Sequence, residues 1–353
     1  MAATRRTVHV VPHFRFRAVG CEDQRTCVRR AFELVRQFLA ACRQDEAYHL
    51  VLSELDYLQP FLAVHGEERE FVRQLVAAGR LQLGGSYSQP DEMVLQGEAI
   101  IRNLIYGRLY HEGLLKGRPD VYLALVSSGQ CVQLPQLLAR AGFEAMVRSD
   151  ESTRRPRLCI ALAPDGSEVL ENWQPQAALP ASREEVAAAA EAGFQAEAAL
   201  GISHHLRLLG GDMAPPVDWL AQSAEPIDSI LSGLAQQAAE RGPAIVISTP
   251  HHYLMEVKAE ADRAAIPLAS PCGGSSHHVG AVGSRSDLNT ANRLAENCVL
   301  DAETWATLAS LVGARFPHLA LDKAWRQILF GQQPGAVSGG CSEVSFLDLL
   351  ACY

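Results

Sequence analysis

The 353-residue chain is 48% hydrophobic and 20% charged, an ordinary globular balance with material for a large core, and its length suits one α/β barrel or two domains. Its net charge of −9 with no block of like charges speaks against nucleic acid as a partner, because phosphate binding wants a basic footprint. The start, MAATRRTVHVV, has no apolar signal region and no run reaches membrane-spanning length, so a cytoplasmic protein without a membrane partner is expected.

Taken in chain order, TVHVVPHF reads as a buried strand, and CVRRAFELVRQFLAACRQ spaces its apolar residues in three- and four-residue steps, as an amphipathic helix does. YHLVLSE is the next strand, followed by two helical pieces of which EEREFVRQLVAAGR is the clearer. The strand LQLGGSYS leads to a long helix over 96–116, then to the strand DVYLALVSS and the helix QLPQLLARAG. FEAMVRS is a further strand, and RLCIALAPDGSEVLEN reads as a hairpin around its Pro-Asp-Gly turn. An Ala-rich helix over 182–200 precedes the strands HHLRLLGG and AIVISTP.

Such βα repetition predicts a parallel sheet, since parallel strands need long crossovers, and so many units favour a closed barrel over residues 1–270. From residue 271 a Gly/Ser-rich stretch, PCGGSSHHVGAVGS, leads into purely helical patterns, so 271–353 is expected to be a crossing loop and a small helical bundle. The nine cysteines form an odd set with no CxxC pair; they are expected to be reduced and to act as small apolar residues, with Cys131 the one candidate reactive thiol.

Several blocks, in order along nearly the whole chain, resemble glycoside hydrolase family 38, the zinc-dependent α-mannosidases. They are GRLQLGGSYSQPDEMVLQGEAIIRNLIYG, SSGQCVQLPQLLARAGFEAMVRS, LLGGDMAPP, ISTPHHYLMEV, SSHHVGAVGS and AWRQILFGQQPGAVSGGCSEV. The resemblance implies an α/β fold, a seven-stranded (β/α) barrel followed by a helical bundle. It also implies zinc held by a His-x-Asp pair after the first strand, by a nucleophilic Asp and by a later His, with a second carboxyl as acid/base.

Carried over residue by residue, the chain departs at the metal positions. The His-x-Asp positions hold Arg15 and Arg17, the nucleophile position holds Val126, and a His-Asp pair of the bundle is replaced by Pro334 and Gly335. Zinc is therefore not expected as a cofactor, and two guanidiniums stand where a divalent cation would. Asp212 matches the acid/base Asp, Asp91 and Glu92 keep a Pro-Asp-Glu, and His278 matches a family His, although Val279 replaces the Arg that follows it.

For each candidate a plainer reading stands beside the functional one. Asp91 and Glu92 near a helix start suit capping and the helix dipole, and Asp212 suits a cap of a helix near Pro215. Arg15 and Arg17 point to solvent or share a pocket at the strand end, where Asp212 and an anionic ligand would balance them. Tyr87 joins Asp91, Glu92 and His278 as a substrate-binding candidate. The doublets His204-His205, His251-His252 and His277-His278 supply at most one inward ligand each if they lie on strands, which leaves His251 or His252 with His278 and Asp212 as an alternative metal set. Ser127, Ser128 and Cys131 lack a base at motif spacing. Two functions compete: a former mannosidase domain binding a sugar, an anionic small molecule or a protein partner, and a metal-independent biosynthetic enzyme using Asp212 as acid/base and Arg15 with Arg17 as anion clamp. An active α-mannosidase with relocated ligands is the third, and self-association is compatible with each.

Overall fold

The computed structural model describes residues 6–17, 22–125, 129–150, 156–175, 190–195, 197, 200–213, 244–262, 265–269, 283–337, 339–351 and 353. Val126, Ser127, Ser128, His277 and His278 lie outside them, as does the Gly/Ser-rich stretch 271–282.

Strand β1 (Thr7–Phe14) is the spine. It pairs in parallel with β8 (His204–Leu209) from Thr7 to Pro12, with β9 (Ala244–Ile247) from Thr7 to Val10, and with β2 (Leu50–Glu54) at His13 and Phe14. β3 (Leu81–Ser86) continues the sheet beyond β2. A second sheet runs β10 (Leu268–Ala269), β6 (Leu158–Leu162), β7 (Glu168–Pro175), β5 (Ala145–Asp150) and β4 (Val121–Ala124). In it β6 and β7 are the antiparallel hairpin expected around Pro164-Asp165-Gly166, where Gly166 takes φ +86°. Among the described residues the strands thus form two five-stranded sheets, which abut where β3 meets β4 and where β7 meets β8.

The apolar run of β1 is explained by burial on both faces. Val8 and Val10 pack outward with Leu209 against Ala190 and Phe194 of the helical segment 190–195. Val11 packs inward with Val51, Leu123, Val147 and Leu206. Alternation then sends Phe14 and Phe16 outward again, where Phe14 stacks on Phe38 at 5.7 Å and Phe14 and Phe16 each meet Tyr57 at 5.0 Å. Phe38 belongs to α1 (Gln24–Gln44), whose first turn is capped by Asp23 accepting from Thr26 N–H at 3.0 Å. Tyr57 belongs to α2 (Leu55–Val64). α3 (Arg69–Ala77), α4 (Gly97–Tyr110) and α5 (Leu134–Arg140) cover the next strands, and α6 (Pro250–Glu260) follows β9. The long helix predicted over 96–116 ends its regular part at Tyr110, closes with a π turn over His111–Leu115 and stops at Lys116, which takes φ 58°.

The C-terminal part is helical as expected: α7 (Ser286–Leu311), α8 (His318–Gly331), α9 (Pro334–Val337) and α10 (Glu343–Leu350). It is stitched to α4 rather than loosely appended. Fully buried Trp325 donates its indole N–H to Glu303 at 2.7 Å, and Arg102 of α4 lies 4.6 Å over the Trp325 ring while forming a two-bond pair with Glu303. No helix of the described residues is long and apolar enough to cross a membrane.

Candidate functional site at the strand ends

The alternation that buries Phe14 and Phe16 turns Arg15 and Arg17 the other way. Arg15 extends β1 by one bridge to Asp212, with its N–H donating to Gly211 O at 3.0 Å and its carbonyl accepting from Met213 N–H at 2.9 Å. This backbone clasp sets two arginines across from one carboxylate. Arg15 Nε lies 2.8 Å from Asp212 Oδ1 and Arg17 Nη2 lies 3.1 Å from Oδ2. Both guanidiniums therefore share a single anion, and both Asp212 oxygens are taken. Arg15 also donates through Nη1 to the Leu125 carbonyl at 3.3 Å. Its guanidinium thus reaches from the end of β1 to the residue beyond β4, one position before Val126.

Below this triad lies a buried carboxyl pair that the sequence reading missed. Glu54 ends β2 and Asp56 opens α2; they are 2% and 4% exposed. Glu54 accepts from Ser53 Oγ at 2.5 Å, from Gln89 Nε2 and from the Phe16 backbone N–H. Burial pushes its pKa up to about 8, against the pull of those hydrogen bonds and of nearby Arg15. Asp56 is likewise raised well above the usual range, by burial and then by Glu54, and accepts from Gln333 Nε2. Gln333 arrives from the bundle, beside Pro334 and Gly335. The same loop supplies Gln332 O to Asp91 N–H at 3.2 Å. His13, one residue pair down β1, has its pKa lowered to about 4 by burial and then by Arg15. Burial thus disfavours the charged form of Glu54, of Asp56 and of His13. Arg15, Arg17 and Asp212 then leave one net positive charge at the strand ends among the described residues.

The remaining candidates fall elsewhere. Asp91 folds an Asx turn, accepting from Met93 N–H at 3.2 Å, six residues before α4 begins, so it is not the cap of that helix, whose N-cap residue is Gln96. Glu92 is buried and clasps the loop beyond β4: its N–H donates to Gly129 O and its carboxyl accepts from Cys131 N–H at 2.9 Å. Burial raises the Glu92 pKa to about 7. Cys131 is pushed up to about 12 by burial and then by Glu92, which favours its thiol over the nucleophilic thiolate. The Tyr87 carbonyl, just past β3, accepts from the Leu55 and Asp56 N–H at the start of α2, and its ring meets Tyr106 of α4 at 6.4 Å.

The histidine doublets resolve differently from expectation. His251 and His252 sit not on a strand but in the first turn of α6, where Thr249 caps the helix and Pro250 opens it. His251 pairs with Asp120 at 2.6 Å, just before β4 begins, and that hydrogen bond raises its pKa. Asp120 lies at the opposite end of the strands from Asp212, so a metal set of His251 or His252 with Asp212 does not assemble; its third member, His278, lies outside the described residues. His204 and His205 are paired within the fold, His205 with Glu197 at 2.8 Å and His204 with His9 at 2.9 Å. Among the described residues no three His, Cys, Asp or Glu side chains group as a metal site.

The polar cluster thus stands at the C-terminal ends of parallel strands, where the functional groups of such α/β folds collect. The family model described as glycosyl hydrolases family 38 N-terminal domain matches residues 5–271, and the chain belongs to that family. An α-mannosidase from Enterococcus faecalis V583 superposes with a TM-score of 0.83 at 19% identity, over 99% of this chain and 40% of that one. A second Enterococcus faecalis structure, of a protein in glycosyl hydrolase family 38, gives 0.77 at 20% identity, over 99% and 38%. These likenesses speak for the fold. A protein of Halalkalibacterium halodurans named "Putative mannosylglycerate hydrolase" is 26% identical over 190 residues, 48% of this chain and 21% of its own length. The chain thus spans well under half the length of these relatives.

Among the described residues, those at the positions that the resemblance gives to a His-x-Asp pair do not fit zinc; Val126 and His278 lie outside the described residues. A ligand must offer a lone pair, and guanidiniums at positions 15 and 17 offer none while adding like charge. The Arg15 guanidinium, ion-paired with Asp212 and hydrogen-bonded to the Leu125 carbonyl, also spans from one strand end to the other.

Proposed function

We propose that this family 38 domain does not carry out zinc-dependent α-mannoside hydrolysis and instead binds an anionic carbohydrate at the ends of its strands. The observation that carries this is the Arg15 guanidinium, held by Asp212 at 2.8 Å and reaching the Leu125 carbonyl at 3.3 Å. A cation fixed there takes the role of a metal's charge without its Lewis acidity. The net positive charge left by Arg15, Arg17 and Asp212 calls for a ligand anion, and Arg17, 49% exposed, is the arm able to turn toward it. Mannosylglycerate, the compound in the Halalkalibacterium relative's name, joins a sugar to a carboxylate and so has the required chemistry.

The test is hydrolysis of an aryl α-mannoside and of mannosylglycerate by purified protein, with excess zinc and with chelator, beside a calorimetric titration with mannosylglycerate. We expect no turnover under either condition and saturable binding that Arg17→Ala weakens by about tenfold or more, the worth of one charge-assisted contact. Zinc-dependent turnover would overturn the proposal in favour of an active mannosidase. Turnover indifferent to zinc and lost in Asp212→Asn would favour the metal-independent enzyme with Asp212 as acid/base.

A further inference from the structure

A separate groove runs along the outside of the strands, between α4 and α8. On α4, Glu98, Arg102, Tyr106 and Tyr110 recur every fourth residue and so form one stripe. Asp322 and Arg326 face it from α8, and the ring of Tyr87, 7% exposed, forms its floor. Together they bound a cavity of about 660 Å³, within the roughly 300–1,000 Å³ usual for small-molecule sites.

The charges cancel within the walls. The lining carboxylates Glu98 and Asp322 balance the lining guanidiniums Arg102 and Arg326: Arg102 bonds Glu98 at 2.7 Å and Arg326 pairs with Asp322 four residues before it, while Glu303, outside the lining, also bonds Arg102. What the groove offers a ligand is therefore not net charge. It offers half-buried tyrosine rings, with the Tyr106 hydroxyl bonded to Asp322, and the outer edges of carboxylates that remain 40% and 41% exposed at Glu98 and Asp322. Apolar Ile105 and Leu109 stay 45% and 64% exposed on its lip, where no core packing requires them. Flat rings beside neutralised hydrogen-bonding groups suit a neutral ligand with an apolar C–H face and a hydroxyl edge, the chemistry of a pyranose.

We propose that this groove is a second, non-catalytic site for a neutral saccharide, distinct from the arginine pair; the choice of saccharide rests on the family membership. The test is a calorimetric titration of the whole chain with a neutral α-linked mannotriose, repeated on Tyr106→Ala, Tyr106→Phe, Leu109→Lys and Arg17→Ala. We expect Tyr106→Ala to weaken binding about tenfold, Tyr106→Phe to keep it within about threefold because the ring remains, and Arg17→Ala to leave it unchanged. Leu109→Lys alters only the exposed lip and should also weaken binding, which keeps the proposal testable if Tyr106→Ala does not fold. Absence of saturable binding to the parent protein overturns the groove. So does binding that Tyr106→Ala and Leu109→Lys leave intact; loss in Arg17→Ala alone would place the sugar at the arginines and leave the reading of the strand ends standing.

Discussion

Asp212→Ala is expected to lower the unfolding free energy by about 2–3 kcal/mol, read as a fall in the urea midpoint at unchanged slope. The estimate follows from the unequal exposure of its partners. Arg15 is 13% exposed, so its charge would be left in a mostly dry setting, which approaches the roughly 3–5 kcal/mol cost of stranding one member of a buried pair. Arg17 is 49% exposed and water can replace its partner, so that bond adds under about 1 kcal/mol. Asp212→Asn keeps the shape and one acceptor oxygen and should lose about half as much. The backbone bridge between Arg15 and Asp212 ties β1 to the end of β8, so the loss should fall mainly on the unfolding rate if the clasp forms late. A change within about 0.5 kcal/mol would mean that the two arginines do not need Asp212, and the charge count behind the anion proposal would fail with it.

Much of this arrangement was legible in the residues. The alternation Phe14-Arg15-Phe16-Arg17 is enough to put two rings into the helix layer and two guanidiniums on the opposite face, and the Gly-rich turn before Asp212 brings the carboxylate to the same strand ends. The Pro164-Asp165-Gly166 hairpin and the helical tail also follow from local turn and period signals. The strand reading AIVISTP already stops at Pro250, and Thr followed by Pro is a helix-start signature, so weighing His251 and His252 as a strand doublet overlooks a helix start that the residues carry. Glu54 and Asp56 were missed for a different reason. Glu54 closes the strand reading YHLVLSE and Asp56 falls in the helical piece after it, and nothing nearby tells that Gln333, 277 positions away, reaches Asp56. Burial of an acid is a property of the assembled fold, and long-range partners leave no periodic trace.

Glu54→Gln is expected to stabilise the protein at pH 8 and to do little at pH 4. The Glu54 pKa of about 8 in the folded chain lies above the 4.5 of an ordinary glutamate. Below about pH 4.5 both the folded and the unfolded chain carry the proton, and burial of the neutral acid costs little. Between pH 4.5 and 8 the unfolded chain releases a proton that the folded chain keeps, so stability falls with rising pH, and above pH 8 the loss is complete. Glutamine cannot ionise in either state, so the variant escapes this loss. The difference between variant and parent should grow by roughly 3 kcal/mol from pH 4 to pH 8, set somewhat below the full linkage value because Asp56 titrates with it. Urea unfolding at several pH values reads it directly, and parallel curves for the two proteins would show that Glu54 ionises as freely in the fold as out of it. The functional consequence is in the charge. An ionised Glu54 would compete with Asp212 for Arg15, whereas a neutral one leaves that guanidinium to Asp212 and keeps the strand ends positive. Stability given up to hold an acid neutral beneath two arginines is what a site for an anion would require.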